Sequence, residues 1–285
     1  EEAKGETAEE MAKAASGGGQ ANSSPSASAD QDPVWDHRVT SFSLPPPLQL
    51  LMGDVAAGSE TPSMVRRVLA WRAADAVGSE LLWTALNDCN EGVASALDAL
   101  RLMTRCMTAE EATSVHREWV EADEAERASM AAAATVAKDG EHALGCPSWL
   151  ESELDACVEA GPDKWAERDS PVAQELHRAR HCFVQARALL RTMGEAADVP
   201  VEPDSQRALA DYTMAQPGVL LAGVPGAGGH DALAAVLLHP RYREAVQAAW
   251  EAWNPKDGEG RRDEPVVCAL PIQEAWGGMG VIVED

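Results

Sequence analysis

Between Gly218 and Leu238 the chain reads GVLLAGVPGAGGHDALAAVLL, two apolar runs around a loop with Gly223, Pro225, Gly226, Gly228 and Gly229 that ends on His230-Asp231. Glycine has no Cβ penalty at positive φ, so such a loop can turn several backbone N–H groups toward one point. A concavity of that kind binds anions, phosphate above all. A plain glycine-rich turn between two core elements satisfies the same pattern. A second group is Ser59, Thr61 and Ser63 around Pro62. Proline suits the first turn of a helix, with Thr61 as its N-cap. A helix start surrounded by hydroxyls is an anion site through its orphan N–H groups and macrodipole, or simply a capped helix. A third group is Arg180, Arg187 and Arg191, which fall within about 40° of one another at about 100° per residue. That basic stripe is either a grip on an anionic substrate or a solvated face paired with neighbouring acids. His177 and His181 are four apart, as metal ligands can be, but no third ligand lies nearby in sequence, so no metal site is expected.

Apolar periodicity supplies the elements that hold these groups. Order is expected from about Val34, with short strands at Val39–Leu44 and Leu48–Met52 around the Pro45-Pro46-Pro47 corner. Gly53–Ser63 reads as a loop, and Met64, Val68 and Trp71 as the inward face of a helix behind it. Ser79–Thr104 and Ala109–Lys138 read as helices, Gly145-Cys146-Pro147 as a break, and Trp149–Ala160 as a short helix. In Pro171–Met193 the residues Val172, Leu176, Ala179, Phe183, Ala186, Leu190 and Met193 form a continuous helical seam. Pro203–Gln216 and Pro240–Trp253 read as further helices. The runs beside the glycine loop read as strands, although the second also fits a helix; Val266–Ile272 and Gly280–Val283 read as late strands. Together they predict an α+β two-layer sandwich.

The 285 residues carry 47 acids against 23 lysines and arginines, a net charge of −24. Nucleic acid and anionic membranes need a basic surface, so both are excluded as partners. A small anionic substrate would depend on a local basic cluster. No apolar run reaches transmembrane length, and the acidic start EEAKGETAEE lacks the apolar core of a secretory signal. The six cysteines form no C-x-x-C pair and read as reduced structural thiols. Residues 1–32, rich in Glu, Ala, Gly and Ser with seven acids against two lysines, read as a disordered linker or tail.

The stretch PGAGGHD resembles the third motif of the GHMP kinases, in the form found in the phosphomevalonate kinase branch. FSLPP with LLMGDVAAGSETPSMV, RTMGEAADVPVEPDSQ, and MAQPGVLLAGV are similar to that branch in order and spacing. The resemblance covers about Val34 to the C-terminus and only the C-terminal part of such an enzyme. The P-x-x-x-G-L-x-S-S-A nucleotide motif and the N-terminal substrate motif are absent. It implies that 33–285 is a GHMP C-terminal domain, an antiparallel sheet packed with helices. The helical middle would run over about 62–216 and the glycine motif over 218–238.

The resemblance implies ATP and Mg²⁺ as cofactors and phosphorylation of mevalonate 5-phosphate in isoprenoid synthesis. It puts Gly226, Ala227, Gly228 and Gly229 beside the nucleotide phosphates, with Asp231 following in the G-A-G-G-x-D pattern as either a chemical or a structural residue. His230 stands where the pattern has an aromatic residue. Ser59, Thr61, Ser63 and Arg191 are implied to face the acceptor substrate. The catalytic residues are expected in a missing N-terminal kinase domain, a partner in cis, so the chain alone should not turn over. Another GHMP kinase, such as mevalonate kinase, and a non-catalytic interaction module remain as alternatives. The end VIVED carries no peroxisomal address, which favours a cytoplasmic location and leaves a peroxisomal one open.

Overall fold

Alternating burial along two strands decides the sheet. A computed structural model describes residues 43–55, 58, 60–135, 146–254 and 266–271. Strands β1 (Gln49–Val55), β2 (Val219–Gly223), β3 (Ala232–Leu237) and β4 (Val267–Ala269) form an antiparallel sheet in the order β2-β3-β1-β4. The second apolar run is therefore a strand: every other residue of β3, Leu233, Ala235 and Leu237, is buried. These join Leu51, Val55 and Ala222 against α7 (Asp204–Met214) and α8 (Arg243–Trp253), with Leu209, Met214, Val246 and Trp250 completing that core. The α+β class follows directly.

The expected loop at Gly53 is instead strand. β1 runs on to Val55, and Gly53 is used for space: a Cβ there would lie 3.0 Å from Trp250 and 2.6 Å from Val267. The strand expected at Val39–Leu44 is not found at Ser43-Leu44, which are irregular; its first residues, like the 1–32 tail and Gly280–Val283, lie outside the described residues.

Capping chemistry sets the helix boundaries. α1 (Thr61–Ala74) and α2 (Ala76–Met103) are separated at Asp75, whose carboxylate accepts the Gly78 N–H at 2.9 Å, so α2 starts earlier than the apolar spacing implies. The single stretch expected over Ala109–Lys138 divides into α3 (Ala109–Glu121) and α4 (Glu124–Thr135). Asp123 accepts from the Glu126 N–H at 2.9 Å while Glu126 accepts from the Asp123 N–H at 3.1 Å, a reciprocal capping box. α5 (Ser148–Ala160) leads through a 3-10 turn at Pro162–Glu167 into α6 (Pro171–Ala197), capped by Ser170. α6 runs past Met193 to end on Asp198 in the left-handed region, with the Val199 N–H donating to the Gly194 carbonyl at 2.8 Å.

α6 is the axis of the helical half. Val172, Ala173 and Leu176 pack with Leu97, Leu100 and Met103 of α2, Leu154 of α5 and Trp165. Glu175, buried on α6, is held by His116 Nε2 at 2.7 Å and Arg178 Nε at 2.7 Å, which offsets its desolvation. No described helix is long and apolar enough to cross a membrane. Burial pushes the Cys146 and Cys157 thiols up to about 11, so at pH 8 only about one in a thousand is thiolate. Cys268 on β4 is exposed. Alkylation by iodoacetamide at pH 8, mapped by mass spectrometry, is expected to mark Cys268 first. Labelling of Cys157 should rise with pH toward 11 in native protein; equal rates for Cys157 and Cys268 at pH 8 would contradict the buried packing.

Candidate functional site

The loop between β2 and β3 takes the left-handed turns that only glycine adopts freely: Gly226, Gly228 and Gly229 have φ of 66°, 82° and 102°. Its base is fastened on three sides. The Gly229 N–H donates to the Val201 carbonyl at 2.9 Å, Gln206 Nε2 donates to the His230 carbonyl at 2.8 Å, and the Val55 N–H donates to the Asp231 carbonyl at 2.9 Å. Gly228 lies so close to the Val201 backbone that a Cβ would sit 2.2 Å from its carbonyl oxygen. The crest, Gly226-Ala227, is exposed, and a Cβ at Gly226 would meet nothing within 4 Å. The loop is thus a preset backbone with an open top, and Asp231 is exposed at its end.

Next to Val201, Glu202 turns its buried carboxylate to α6. Arg187 Nε donates to it at 2.5 Å, and Arg191 pairs with its other oxygen. Arg187 Nη1 donates to Asp211 at 2.8 Å, while its Nη2, also buried, has no partner among the described residues. The predicted basic stripe therefore divides. Arg180 neither grips a ligand nor points to water: it donates to the carbonyls of Met214, Val219 and Leu220. Those last two carbonyls flank the register shift between β2 and β3, where the ladder leaves acceptors free. Burial lowers the Arg180 pKa from its ordinary value.

Arg187, Glu202, Asn90, Gly223, Gly226 and Gly228 are among the residues lining a cavity of about 80 Å³ between α2, α6 and the loop. Gly223 admits α6 closely here; a Cβ there would lie 2.9 Å from the Phe183 ring. A larger open depression between α3 and α4 is walled by Glu118, Glu121 and Glu126, unsuited to an anion. Among the described residues no group of three His, Cys, Asp or Glu side chains is placed to hold a metal; His177 and His181 stack on each other at 5.9 Å.

Of the substrate-facing residues, Ser59 lies outside the described residues. Thr61 does not cap α1: the N-cap is Glu60, with no side-chain cap bond, because Thr61 has already entered the first turn. Thr61 is exposed and Ser63 half-buried, its N–H bonded to the Glu60 carbonyl at 3.0 Å. Met64, one turn on, packs with Val199, Val201, Leu190 and Met193. The start of α1, the end of α6 and the glycine loop therefore share one neighbour, the Val199–Glu202 segment. Arg191, Thr61 and Ser63 do not line the cavity, whereas Arg187 does. Glu202 was missed by sequence reasoning; its signal was a lone carboxylate in the V-P-V-E-P run downstream of two helical arginines.

The sequence is similar to those of known phosphomevalonate kinases, of which three show the extent. A peroxisomal phosphomevalonate kinase of Arabidopsis thaliana is 33% identical over 235 residues, 82% of this chain and 40% of that protein. Phosphomevalonate kinases of Candida albicans and Aspergillus fumigatus are 28% and 27% identical over 76% and 80% of this chain, and 37% and 34% of theirs. The chain is a relative of the phosphomevalonate kinases. It spans only about a third to two-fifths of the length of those it matches. No protein-family model and no solved structure matches it.

The loop geometry separates two glycines that sequence treats alike. Gly226→Ala should cost only the left-handed strain, about 1–2 kcal/mol. Gly228→Ala adds a backbone collision with Val201 to the same strain and should cost well over that. Thermal melts of both variants of this chain test the difference; equal losses would contradict the contact at Val201.

Proposed function

We propose that this chain is the C-terminal, GHMP-type part of a phosphomevalonate kinase, which transfers the γ-phosphoryl group of ATP to mevalonate 5-phosphate and yields mevalonate 5-diphosphate and ADP. The observation that carries the reading is the alignment of about four-fifths of the chain with phosphomevalonate kinases, running through a glycine loop whose crest is open and whose base is fixed on Val201. Such transfer asks for positioning and charge stabilisation more than covalent help. The crest Gly226-Ala227 would lie against nucleotide phosphates, and Gly228 and Gly229 would hold it there. Arg191, Ser59, Thr61 and Ser63 would sit on the acceptor side. The exposed backbone of Gly226-Ala227 would take the ATP phosphates, and Mg²⁺ bound with ATP would supply charge neutralisation. No cluster of metal ligands stands among the described residues. In this reading its protein ligands, like the catalytic acid and base, come from the part of the enzyme that precedes this chain. The location that goes with the reading is cytoplasmic or peroxisomal.

The test is an ADP-release assay on the protein extended upstream to the full length of its relatives, with Mg-ATP and either mevalonate 5-phosphate or mevalonate. Turnover of the phosphorylated substrate alone is expected, and none by the 285-residue chain on its own. Gly226→Ala, which meets no neighbour here, should lower kcat/KM by about tenfold or more by shifting the crest. A folded, extended protein that uses mevalonate instead would move the assignment to another kinase of the superfamily. One that uses neither would favour an interaction module.

A further inference from the structure

The cavity behind the glycine loop is lined in part by Arg187, whose guanidinium keeps one nitrogen unspent. Arginine offers five N–H donors in a fixed plane. On Arg187 the Nε edge is taken by Glu202, and Nη1 by Asp211 and the Met214 sulfur. Nη2 is buried and without a partner among the described residues, and the side chain as a whole is only 6% exposed. A buried donor without an acceptor is costly, most of all on a charged group. The neighbourhood is built to keep that edge where it is: two carboxylates fix the guanidinium plane from the far sides, and Phe183 packs beside its stem near Gly223. Arg187 is among the residues that line a cavity of about 80 Å³, with Gly223, Gly228 and the exposed Gly226 also in its wall. Phe183, Ala186, Leu190, Val201 and Val224 make part of the wall apolar, and Glu202, also in the wall, is already paired with Arg187 and Arg191; Arg187 is the cationic donor left there for an oxyanion.

We infer that Arg187, not the more exposed Arg191, is the oxyanion contact of this site: its Nη2 donates to a phosphoryl oxygen held in the cavity between α6 and the glycine loop, and Glu202 is the positioning residue that aims it. Which phosphoryl group occupies the cavity rests on the kinase reading above; that an oxyanion does so rests on the unpartnered Nη2 of a residue that lines it. Arg187 and Arg191 are balanced by Glu202 and Asp211, so selection comes from directed donors rather than from net charge.

The experiment observes the arginine side-chain Nε and Nη resonances of the 285-residue chain by NMR while inorganic phosphate, or separately acetate, is added. Saturable shifts of the Arg187 signals with phosphate are expected, with smaller ones from acetate. Arg187→Lys keeps a charge but loses the planar fork, and should weaken phosphate binding roughly ten- to a hundredfold. Removing Arg187 alone strands Glu202, so the double variant Arg187→Met/Glu202→Gln, checked for fold by circular dichroism, gives the second comparison; loss of the phosphate response is expected there too. No shift with either anion makes the occupant water and overturns the inference. A shift with acetate but not phosphate overturns the phosphoryl assignment. Kinase turnover by the extended protein that survives Arg187→Lys unchanged, beside silent NMR, defeats this inference and leaves the kinase reading standing. Phosphate shifts without any turnover do the reverse.

Discussion

A carboxylate buried between two arginines cannot be moved cheaply, and the site hangs on one. Glu202 is 4% exposed and Arg187 6%. Removing one partner of such a pair leaves an uncompensated charge and costs roughly 3–5 kcal/mol, a large fraction of the ~5–15 kcal/mol that holds a domain together. Glu202 is therefore fixed, and with it the peptide before it. That peptide carries the Val201 carbonyl, which receives the Gly229 N–H and abuts Gly228. The ion pair thus acts twice: it sets the arginine face of α6 directly and the glycine loop through one residue of backbone.

The sheet holds the other side of the loop. β2 and β3 enter and leave it, and β1 reaches it through the Val55 N–H. Those strands are held down by Trp250, which is 1% exposed and accommodated by the missing Cβ of Gly53. Its indole N–H donates to the Thr213 hydroxyl at 2.9 Å, which ties α8 to α7 over the sheet. Since α7 also carries Gln206 and Asp211, the cover of the sheet and the support of the loop are the same element. A ligand that ordered the crest would meet a base already rigid, so little of its binding free energy would be lost to ordering the chain.

Much of this was legible in the residues. The seam on α6 was read because seven apolar side chains keep one helical face, and its buried members confirm it. The glycine loop was located because only glycine supports its three positive φ angles. Boundaries fared less well where a short-range side-chain bond competes with periodicity: Asp75 and the Asp123–Glu126 box decide where helices break, and hydrophobic spacing carries no information about either. Gly53 looked like a turn because a glycine adapted to a tryptophan far along the chain looks like any other glycine. The arginine stripe was visible as a stripe, but not its division of labour. Arg180 serves carbonyls freed by a bulge, and Arg187 and Arg191 share a carboxylate that follows only after the helix ends. Those assignments depend on tertiary pairings that helical spacing cannot contain.

The chain's acidity bears on how such a site would work. With 47 acids against 23 bases, the mean field opposes any phosphorylated ligand. That field is screened in water over about 8 Å at physiological ionic strength, whereas donors in a buried wall act with far less screening. Attraction at long range is then weak or adverse, and recognition falls to contacts made after arrival. Under that constraint flexible surface lysines would be poor instruments, since each would be neutralised by neighbouring carboxylates. A guanidinium plane fixed by the buried Glu202, beside a backbone loop whose shape is set by glycine, keeps its donors in place whatever the surface charge. An acidic protein that had to hold an anion would have reason to bury an arginine, and α6 buries Arg187.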